Sequence, residues 1–256
     1  MKRRSLLFIT LLFCIFTAQA QLKTISYTDG GQKLNGQLRM PVNPGKSGKR
    51  GVLILPAWMG IDAHSKEVAQ KLGAMDYTAF VADIYGEGNY PQSAKEAGER
   101  SGYFKSHIEE YQRRIQLALD QLVKAGADAD KIVVIGYCFG GQGAIEAART
   151  NMRVKGIVSF HGSYVRDSLR EIKPIQPKIL ILHGADDPFS SPAVISSLQQ
   201  EFRKAGADWQ MNYYANAVHA FTERSAGNDN SKGVAYNEEA DKRSWQAMLQ
   251  FLNEVL

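Results

Sequence analysis

Residues Lys131–Ala148 carry the sequence K-I-V-V-I-G-Y-C-F-G-G-Q-G-A-I-E-A-A. The segment begins with an apolar, β-branched run at 132–135, which is typical of a strand buried on both faces of a parallel sheet. A glycine-rich turn and an alanine-rich helical pattern follow it. The turn, Gly136-Tyr137-Cys138-Phe139-Gly140, has the spacing of a glycine-x-nucleophile-x-glycine elbow, with cysteine where serine is more usual. The segment therefore predicts a strand–elbow–helix unit of an α/β protein.

The two glycines of this elbow have a steric explanation. A residue on so sharp a turn is strained, and side chains two positions before and after it would collide with the backbone. Gly136 and Gly140 remove those side chains. The turn would also place the sulfur of Cys138 at a helix N-terminus, where the partial positive charge favours a thiolate. The alternative is a buried structural cysteine beside a glycine-rich turn.

The first twenty residues have the composition of a secretory signal peptide. Three cations at positions 2–4 precede an apolar run from Leu6 to Phe16, and Ala18-Gln19-Ala20 provides the small residues of a cleavage site. The apolar run is too short to cross about 30 Å of hydrocarbon as a membrane anchor. We therefore predict cleavage after Ala20, export to the periplasm or beyond, and no membrane association of the mature chain.

Composition limits the mature chain, residues 21–256, to a few classes. Hydrophobic residues make up 44% and charged residues 22% of the full chain, as in soluble globular proteins, and the length suits a single α/β domain. Removing the three signal-peptide cations from a formal charge of +5 leaves about +2. With no basic cluster, this charge argues against a nucleic-acid partner.

Cysteine usage favours a chemical role for Cys138. The chain has two cysteines, Cys14 and Cys138, and the first would leave with the signal peptide. Exported proteins usually use cysteine in disulfide pairs. A single thiol in an oxidising compartment is a liability unless it is buried or useful, so the catalytic interpretation of the elbow gains weight.

The remaining patterns predict an α/β fold with a mostly parallel central sheet, helices on both faces and an N-terminal antiparallel hairpin. Thr24–Tyr27 and Lys33–Met40 alternate apolar and polar residues around a glycine turn and form that hairpin. Residues 87–105 show no clear periodicity and are predicted to lie irregularly across one end of the sheet. The other predicted strands are 52–55, 79–82, 132–135, 154–160, 178–182 and 209–214.

Two further strands end beside chemically useful residues. Asp186 and Asp187 follow the strand at 178–182, and His219 follows the strand at 209–214. In open α/β sheets the functional site lies at the carboxyl ends of the strands. The chain order of nucleophile, acid and base is that of α/β-hydrolases. Asp187 suits the acid better than Asp186, because this acid commonly lies three residues after the glycine that ends the strand.

These residues have distinct predicted roles. His219 would take the thiol proton and return it to a leaving group, while Asp187 would orient and stabilise the imidazolium. A tetrahedral intermediate also needs two N–H donors aimed at its oxyanion. The backbone amides of Phe139, directly after the nucleophile, and of Trp58, after the strand at 52–55, are the candidates.

Four motifs together resemble the dienelactone hydrolase family of α/β-hydrolases. They are G-Y-C-F-G-G (136–141), S-F-H-G (159–162), H-G-A-D-D-P-F (183–189) and V-H-A-F (218–221). Carried over by position, the family triad falls on Cys138, Asp187 and His219. The resemblance implies hydrolysis of a small ester or lactone through a thioester acyl-enzyme, without metal or cofactor. The five histidines likewise show no spacing typical of metal ligands.

The sequence departs from the family at two positions. Members that cleave dienelactone have a glutamate where this chain has Ala57, and an arginine four residues after the histidine, where this chain has Glu223. An anionic substrate would be poorly stabilised near Glu223, so we expect a largely neutral one. His161, Tyr85 and Glu223 are the candidate pocket residues.

Two other classes stay open at this level. The missing carboxylate at Ala57 permits a non-catalytic binding protein on a hydrolase scaffold. A periplasmic thiol redox protein is the other alternative, although no second cysteine would remain to resolve an oxidised Cys138. The sequence does not specify the oligomeric state, and a monomer is the simplest expectation.

Overall fold

The computed structural model describes residues 21–46 and 48–256, so the predicted signal peptide lies outside the described residues. One sheet of eight strands lies within this part of the chain. In chain order, β1 to β8 are Lys23–Asp29, Gln32–Arg39, Gly51–Leu55, Thr78–Val81, Ile132–Tyr137, Gly156–Phe160, Lys178–Gly184 and Trp209–Tyr214. The helices, α1 to α6, are Ala63–Ala74, Ala94–Ser106, Ile108–Lys124, Phe139–Arg149, Pro192–Lys204 and Glu238–Val255.

The sheet topology confirms the predicted fold class. Strands lie in the order β1-β2-β4-β3-β5-β6-β7-β8. β1 and β2 form the predicted antiparallel hairpin, with Tyr27 opposite Leu34, and β2 also runs antiparallel to β4. Every pairing from β4 to β8 is parallel. The carboxyl ends of β3 to β8 therefore meet along one edge, as the placement of the candidate site requires.

Helices cover both faces of the sheet. Ile132 and Val134 of β5 point into one hydrophobic cluster, which contains apolar residues of α3, α4 and α5. Val133 and Ile135 point into a second cluster, which contains apolar residues of α1 and α6. Because both faces are buried, the central strands are apolar throughout rather than alternating.

The expectation of irregular chain across residues 87–105 is wrong, because most of this segment is helix α2. Ser93 caps the helix by accepting a hydrogen bond from the Glu96 amide at 3.2 Å. The buried side of α2 consists of Ala97, Ser101 and Phe104. With one large apolar side chain on this side, the helical period of the sequence is too faint to detect.

No helix in the described part of the chain combines the length and the hydropathy that a membrane crossing requires.

Candidate active site

Cys138 occupies the turn between β5 and α4 in a strained backbone conformation, with φ 52° and ψ −111°. A side chain on Gly136 would overlap the carbonyl of Gly140, and one on Gly140 would overlap the carbonyl of Leu55. Both elbow glycines are therefore sterically required. The Cys138 amide donates to the Phe160 carbonyl at 3.0 Å, which fixes the turn against β6.

Three predicted residues meet in a hydrogen-bonded chain at the carboxyl edge of the sheet. His219 Nε2 lies 3.0 Å from Cys138 Sγ. On the other side of the ring, His219 Nδ1 lies 2.8 Å from Asp187 Oδ2. Both distances permit proton sharing along the chain.

The structure brings Asp187, and not Asp186, to the histidine. The Asp187 side chain is fully buried, and its second oxygen accepts a hydrogen bond from the Phe189 amide at 2.9 Å. Asp186 is exposed. The carboxylate of Asp187 is thus held by two partners in one orientation, as a group that orients an imidazole must be.

The segment after His219 holds the histidine by its backbone. The His219 amide donates to the Gly233 carbonyl at 3.2 Å, and the Ala235 amide donates to the His219 carbonyl at 3.1 Å. Two short 3₁₀ turns, Arg224–Ala226 and Asn230–Lys232, lie in this segment. Gly233 has φ +72°, and a side chain there would press on Pro188. This steric role of Gly233 is not apparent from the sequence.

The partners of His219 determine its charge. Burial alone would lower the pKa of His219. The hydrogen bonds to Asp187 and Cys138, together with their negative charges, outweigh burial and raise that pKa to about 10. His219 is therefore protonated at neutral pH, which places a cationic ring 3.0 Å from Cys138 Sγ.

Tyr85 lies behind the candidate oxyanion site rather than on the pocket surface where it was predicted. Its hydroxyl donates to the Trp58 carbonyl at 2.7 Å, and its ring stacks on Phe139 with centroids 5.9 Å apart. Burial raises the pKa of Tyr85, so the hydroxyl stays protonated and able to donate. Tyr85 thus connects the two residues whose amides were predicted to bind the oxyanion.

His161 also lies behind the site, in correction of its predicted place on the pocket surface. The side chain is completely buried, and Nε2 lies 2.8 Å from Thr222 Oγ1. Its ring packs edge-on against His219, with centroids 5.4 Å apart. Burial holds the pKa of His161 well below its usual value, so this ring is neutral.

Glu223 faces a separate cavity. It is 8% exposed, and it lines a cavity between α1 and α6 with His64 and Trp245. Cys138 does not line this cavity. Burial, with the nearby charges of Asp62 and Asp241, raises the pKa of Glu223 to about 8.

Exposed apolar side chains come from the two loops that flank the Cys138–His219 pair. Trp58 and Met59, on the loop after β3, are 39% and 38% exposed, and Phe189, on the loop after β7, is 61% exposed. The Phe189 ring packs edge-on against His219 at 5.2 Å. These side chains offer an uncharged surface to a substrate.

Among the described residues, no group of three or more histidine, cysteine, aspartate or glutamate side chains is arranged to hold a metal ion.

Known proteins resemble this chain over most of its length. A curated Bradyrhizobium protein named "Probable 2-oxo-3-(5-oxofuran-2-ylidene)propanoate lactonase" is 25% identical over 88% of this chain and 90% of its own. The crystal structure of a dienelactone hydrolase-like promiscuous phosphotriesterase from metagenomic libraries is 35% identical, with a TM-score of 0.84, covering 92% of this chain and 98% of that one. A solved protein called m3DLH is 31% identical over the same shares, with a TM-score of 0.82.

The sequence model of one family matches almost the whole described chain. The match runs from residue 34 to residue 256, and the family is described as the dienelactone hydrolase family. It covers all four motifs on which the resemblance was based and every residue of the candidate site. Together with the fold and the two structural relatives above 30% identity, it shows that the chain belongs to the dienelactone hydrolase family.

Proposed function

We propose that this enzyme cleaves a small uncharged carboxylic ester or lactone with Cys138 as the nucleophile. Its family membership identifies it as a hydrolase of esters and lactones. The proposal depends on one observation, the chain from Cys138 Sγ through His219 to Asp187 at 3.0 and 2.8 Å. Family membership favours this function over a non-catalytic scaffold or a thiol redox protein.

The reaction has two halves. The Cys138 thiolate attacks the carbonyl carbon, and the tetrahedral intermediate collapses as the carbon–oxygen bond to the alcohol breaks. His219 gives its proton to the departing alkoxide, leaving a neutral imidazole beside a thioester. That imidazole then takes a proton from water, the resulting hydroxide attacks the thioester, and the acid leaves as the thiolate and imidazolium are restored.

The oxyanion of both intermediates would be bound by the amides of Phe139 and Trp58. Phe139 begins α4, so its N–H is free of an intrahelical partner. Trp58 lies in a tight turn in which the Gly60 amide donates to the Ala57 carbonyl at 2.9 Å. Tyr85 fixes this turn through the Trp58 carbonyl. Preorganised donors of this kind are each worth about 10²–10³-fold in rate.

The substrate is expected to be neutral near the reacting bond. Ala57 supplies no charge, and Glu223 faces the separate cavity between α1 and α6, so neither position provides a cation that would hold a carboxylate beside Cys138. The exposed side chains of Trp58, Met59 and Phe189 are apolar. An uncharged acyl or alcohol group can pack on them, whereas an anionic group would lose hydration on the same apolar surface.

Ester hydrolysis provides the direct test. Wild-type enzyme should hydrolyse p-nitrophenyl butyrate much faster than the anionic p-nitrophenyl succinate half-ester, and Cys138→Ala should hydrolyse neither above the uncatalysed rate. Asp186→Asn is a matched control, since Asp186 is exposed beside the site, and it should retain most of the activity. Wild-type rates in Cys138→Ala would exclude the mechanism, and a preference for the half-ester would exclude the neutral substrate.

A neutral phosphotriester is a second candidate substrate. The solved relative at 35% identity is named a promiscuous phosphotriesterase. The apolar side chains proposed to contact the substrate also suit a neutral phosphorus ester, whose phosphoryl oxygen would meet the same two amides. Paraoxon turnover that is lost in Cys138→Ala would support this second activity, and its absence would restrict the site to carboxylic esters.

Export of the mature chain is also proposed, from the composition of residues 1–20. Expression of the full gene in a Gram-negative host should yield periplasmic or secreted protein whose N-terminus is Gln21. Recovery of a chain that retains its first twenty residues in the cytoplasm would contradict this proposal.

A further inference from the structure

The cavity that Glu223 lines lies between α1 and α6, on one face of the sheet. Its volume is about 570 Å³, and α1, α6 and the segment after His219 enclose it. Six of its lining residues carry the argument: His64, Tyr137, Phe160, Glu223, Asp241 and Trp245. None of the three proposed catalytic side chains lines it. A cavity of this size can hold a small molecule.

Two buried polar atoms of this cavity have no partner. Among the described residues, neither Glu223 Oε1 nor His64 Nε2 has a hydrogen-bond partner. The two atoms are 3.8 Å apart, too far for a hydrogen bond between them. Burial lowers the pKa of His64, so His64 is neutral and does not neutralise Glu223. Unpaired buried polar groups are costly and need an explanation.

The charged groups around Glu223 come from α1, α6 and the catalytic side. The bases that line the cavity lie beside other carboxylates: Lys71 and Arg224 share Glu67, at 2.7 and 3.8 Å, and Lys242 pairs with Glu238 at 2.6 Å. Asp62 and Asp241 face Glu223 and add negative charge, while His219 adds a positive one from the catalytic side. Asp241 accepts a hydrogen bond from the Tyr236 hydroxyl at 3.1 Å.

We propose that this cavity is a binding site for a small organic ammonium ion. Its N–H groups would donate to Glu223 Oε1 and to His64 Nε2, the two atoms that lack partners. A cation would offset the negative charge that Glu223 gains when it ionises beside Asp62 and Asp241. The aromatic rings of Tyr137 and Phe160 would contact an apolar body, while the Trp245 ring already has Lys71 Nζ 5.5 Å from its centroid. The site goes beyond the proposed hydrolysis and does not use Cys138.

The binding should be coupled to proton release. The pKa of Glu223 is about 8, so the carboxyl is largely protonated at pH 7 and must ionise to hold a cation. Affinity should therefore increase about tenfold per pH unit up to about pH 8 and then level off. The other groups that face Glu223 are the acids Asp62, Glu67, Glu238 and Asp241, the bases Lys71, Arg224 and Lys242, and the histidines His64 and His219.

Titration calorimetry on the Cys138→Ala variant tests the site separately from catalysis. Methylammonium and benzylammonium are the probes, and benzyl alcohol is the uncharged control. We expect at least one cation to bind and benzyl alcohol to bind at least about tenfold more weakly. A proton should be released at pH 7, as shown by heats that depend on the ionisation enthalpy of the buffer. Lack of binding by both cations, or equal binding of the alcohol, would overturn the proposal.

Glu223→Gln then locates the site. The substitution keeps the shape and removes the charge, so it should weaken cation binding at least about tenfold. The exposed Glu239→Gln on α6 is the matched control and should bind like its parent. Unchanged affinity in Glu223→Gln would place the cation elsewhere and refute the assignment. If this variant does not fold, proton release on cation binding to the Cys138→Ala variant, in which Glu223 is intact, tests the assignment instead. Release at pH 7 supports it, and binding without release contradicts it.

Discussion

His219, which is partly buried, and His161, which is fully buried, are neighbouring histidines with different charge states. Their ring centroids lie 5.4 Å apart. The pKa of His219 is raised to about 10, whereas the pKa of His161 is well below its usual value. Burial acts in the same direction on both rings, because it disfavours the charged form. Burial alone therefore cannot explain the difference.

The hydrogen-bond partners of each ring explain the difference between the two pKa values. His219 lies between the carboxylate of Asp187 and the sulfur of Cys138, and both stabilise an imidazolium. His161 meets the hydroxyl of Thr222, which offers no charge. The fold thus places a charged, chemically useful ring against a neutral packing partner. The predictions below test this difference.

Removal of the sulfur should have the largest effect. Cys138→Ala should lower kcat/KM for esters by about 10⁴-fold or more, since the nucleophile is lost. It should also lower the pKa of His219, because one hydrogen bond and one negative charge disappear. Ester kinetics and an NMR titration of the imidazole measure the two effects. A histidine that still titrates near pH 10 in this variant would mean that Cys138 does not contribute to its charge.

Replacement of the Asp187 carboxylate should have the second-largest effect. Asp187→Asn should reduce kcat by about 10³–10⁴-fold, as expected when a ring loses its orienting acid. With methyl butyrate, whose alkoxide leaving group needs a proton, wild-type activity should fall as pH rises through about 10. In Asp187→Asn that fall should move to lower pH.

The exposed neighbour supplies the control for this experiment. Asp186→Asn should leave both the rate and the high-pH fall where they are in wild type. A pH profile that is the same in Asp187→Asn and wild type would contradict the role of Asp187 in charging His219.

Replacement of the neutral ring should have a much smaller effect. His161→Phe keeps an aromatic ring against His219 and removes the hydrogen bond to Thr222. We expect a loss of at most about tenfold in kcat/KM, as from imperfect packing. The high-pH fall should stay in place, because His161 carries no charge. A shift of that fall by a full pH unit would show that His161 takes part in the titration.

The smallest effect concerns stability. The pKa of Glu223 is raised from 4.5 to about 8, so the folded protein holds a proton that the unfolded chain releases in this range. Stability from this group is full below pH 4.5 and is lost as pH rises towards 8. Glu223→Gln has no such loss, so its Tm relative to wild type should rise on the order of a few degrees between pH 5 and 8.

Glu239→Gln is the control for this measurement too, because Glu239 is exposed on α6. Its Tm difference from wild type should not change with pH. If the Tm difference between Glu223→Gln and wild type also does not change with pH, Glu223 ionises at its usual pKa in the folded protein.

The positions of the three site residues could be predicted because each has a local signature. Cys138 is flanked by the glycines of an elbow, and Asp187 and His219 follow strands whose ends share one edge of the sheet. The order of strands and helices follows from apolar periodicity in the same way. Such signals are local in sequence, and a parallel sheet converts them into proximity.

The supporting contacts could not be predicted because they connect distant residues. Nothing near Tyr85 in the sequence indicates that its hydroxyl reaches the Trp58 carbonyl. Likewise, the Gly233 carbonyl supports His219 from a segment that has no periodic pattern. Glu223 was placed in the substrate pocket by its spacing from His219, but its carboxyl lines the cavity between α1 and α6. Side-chain direction at such loop positions is set by tertiary packing rather than by local sequence.

Mass spectrometry of the enzyme quenched during turnover of p-nitrophenyl butyrate tests the central claim most directly. A thioester on Cys138 should appear as a butyryl mass on the peptide that contains it. The butyryl mass should accumulate in His219→Ala at a pH high enough to ionise the Cys138 thiol, since deacylation then lacks its base. A peptide without this mass during steady turnover, or a butyryl group on another residue, would contradict the account.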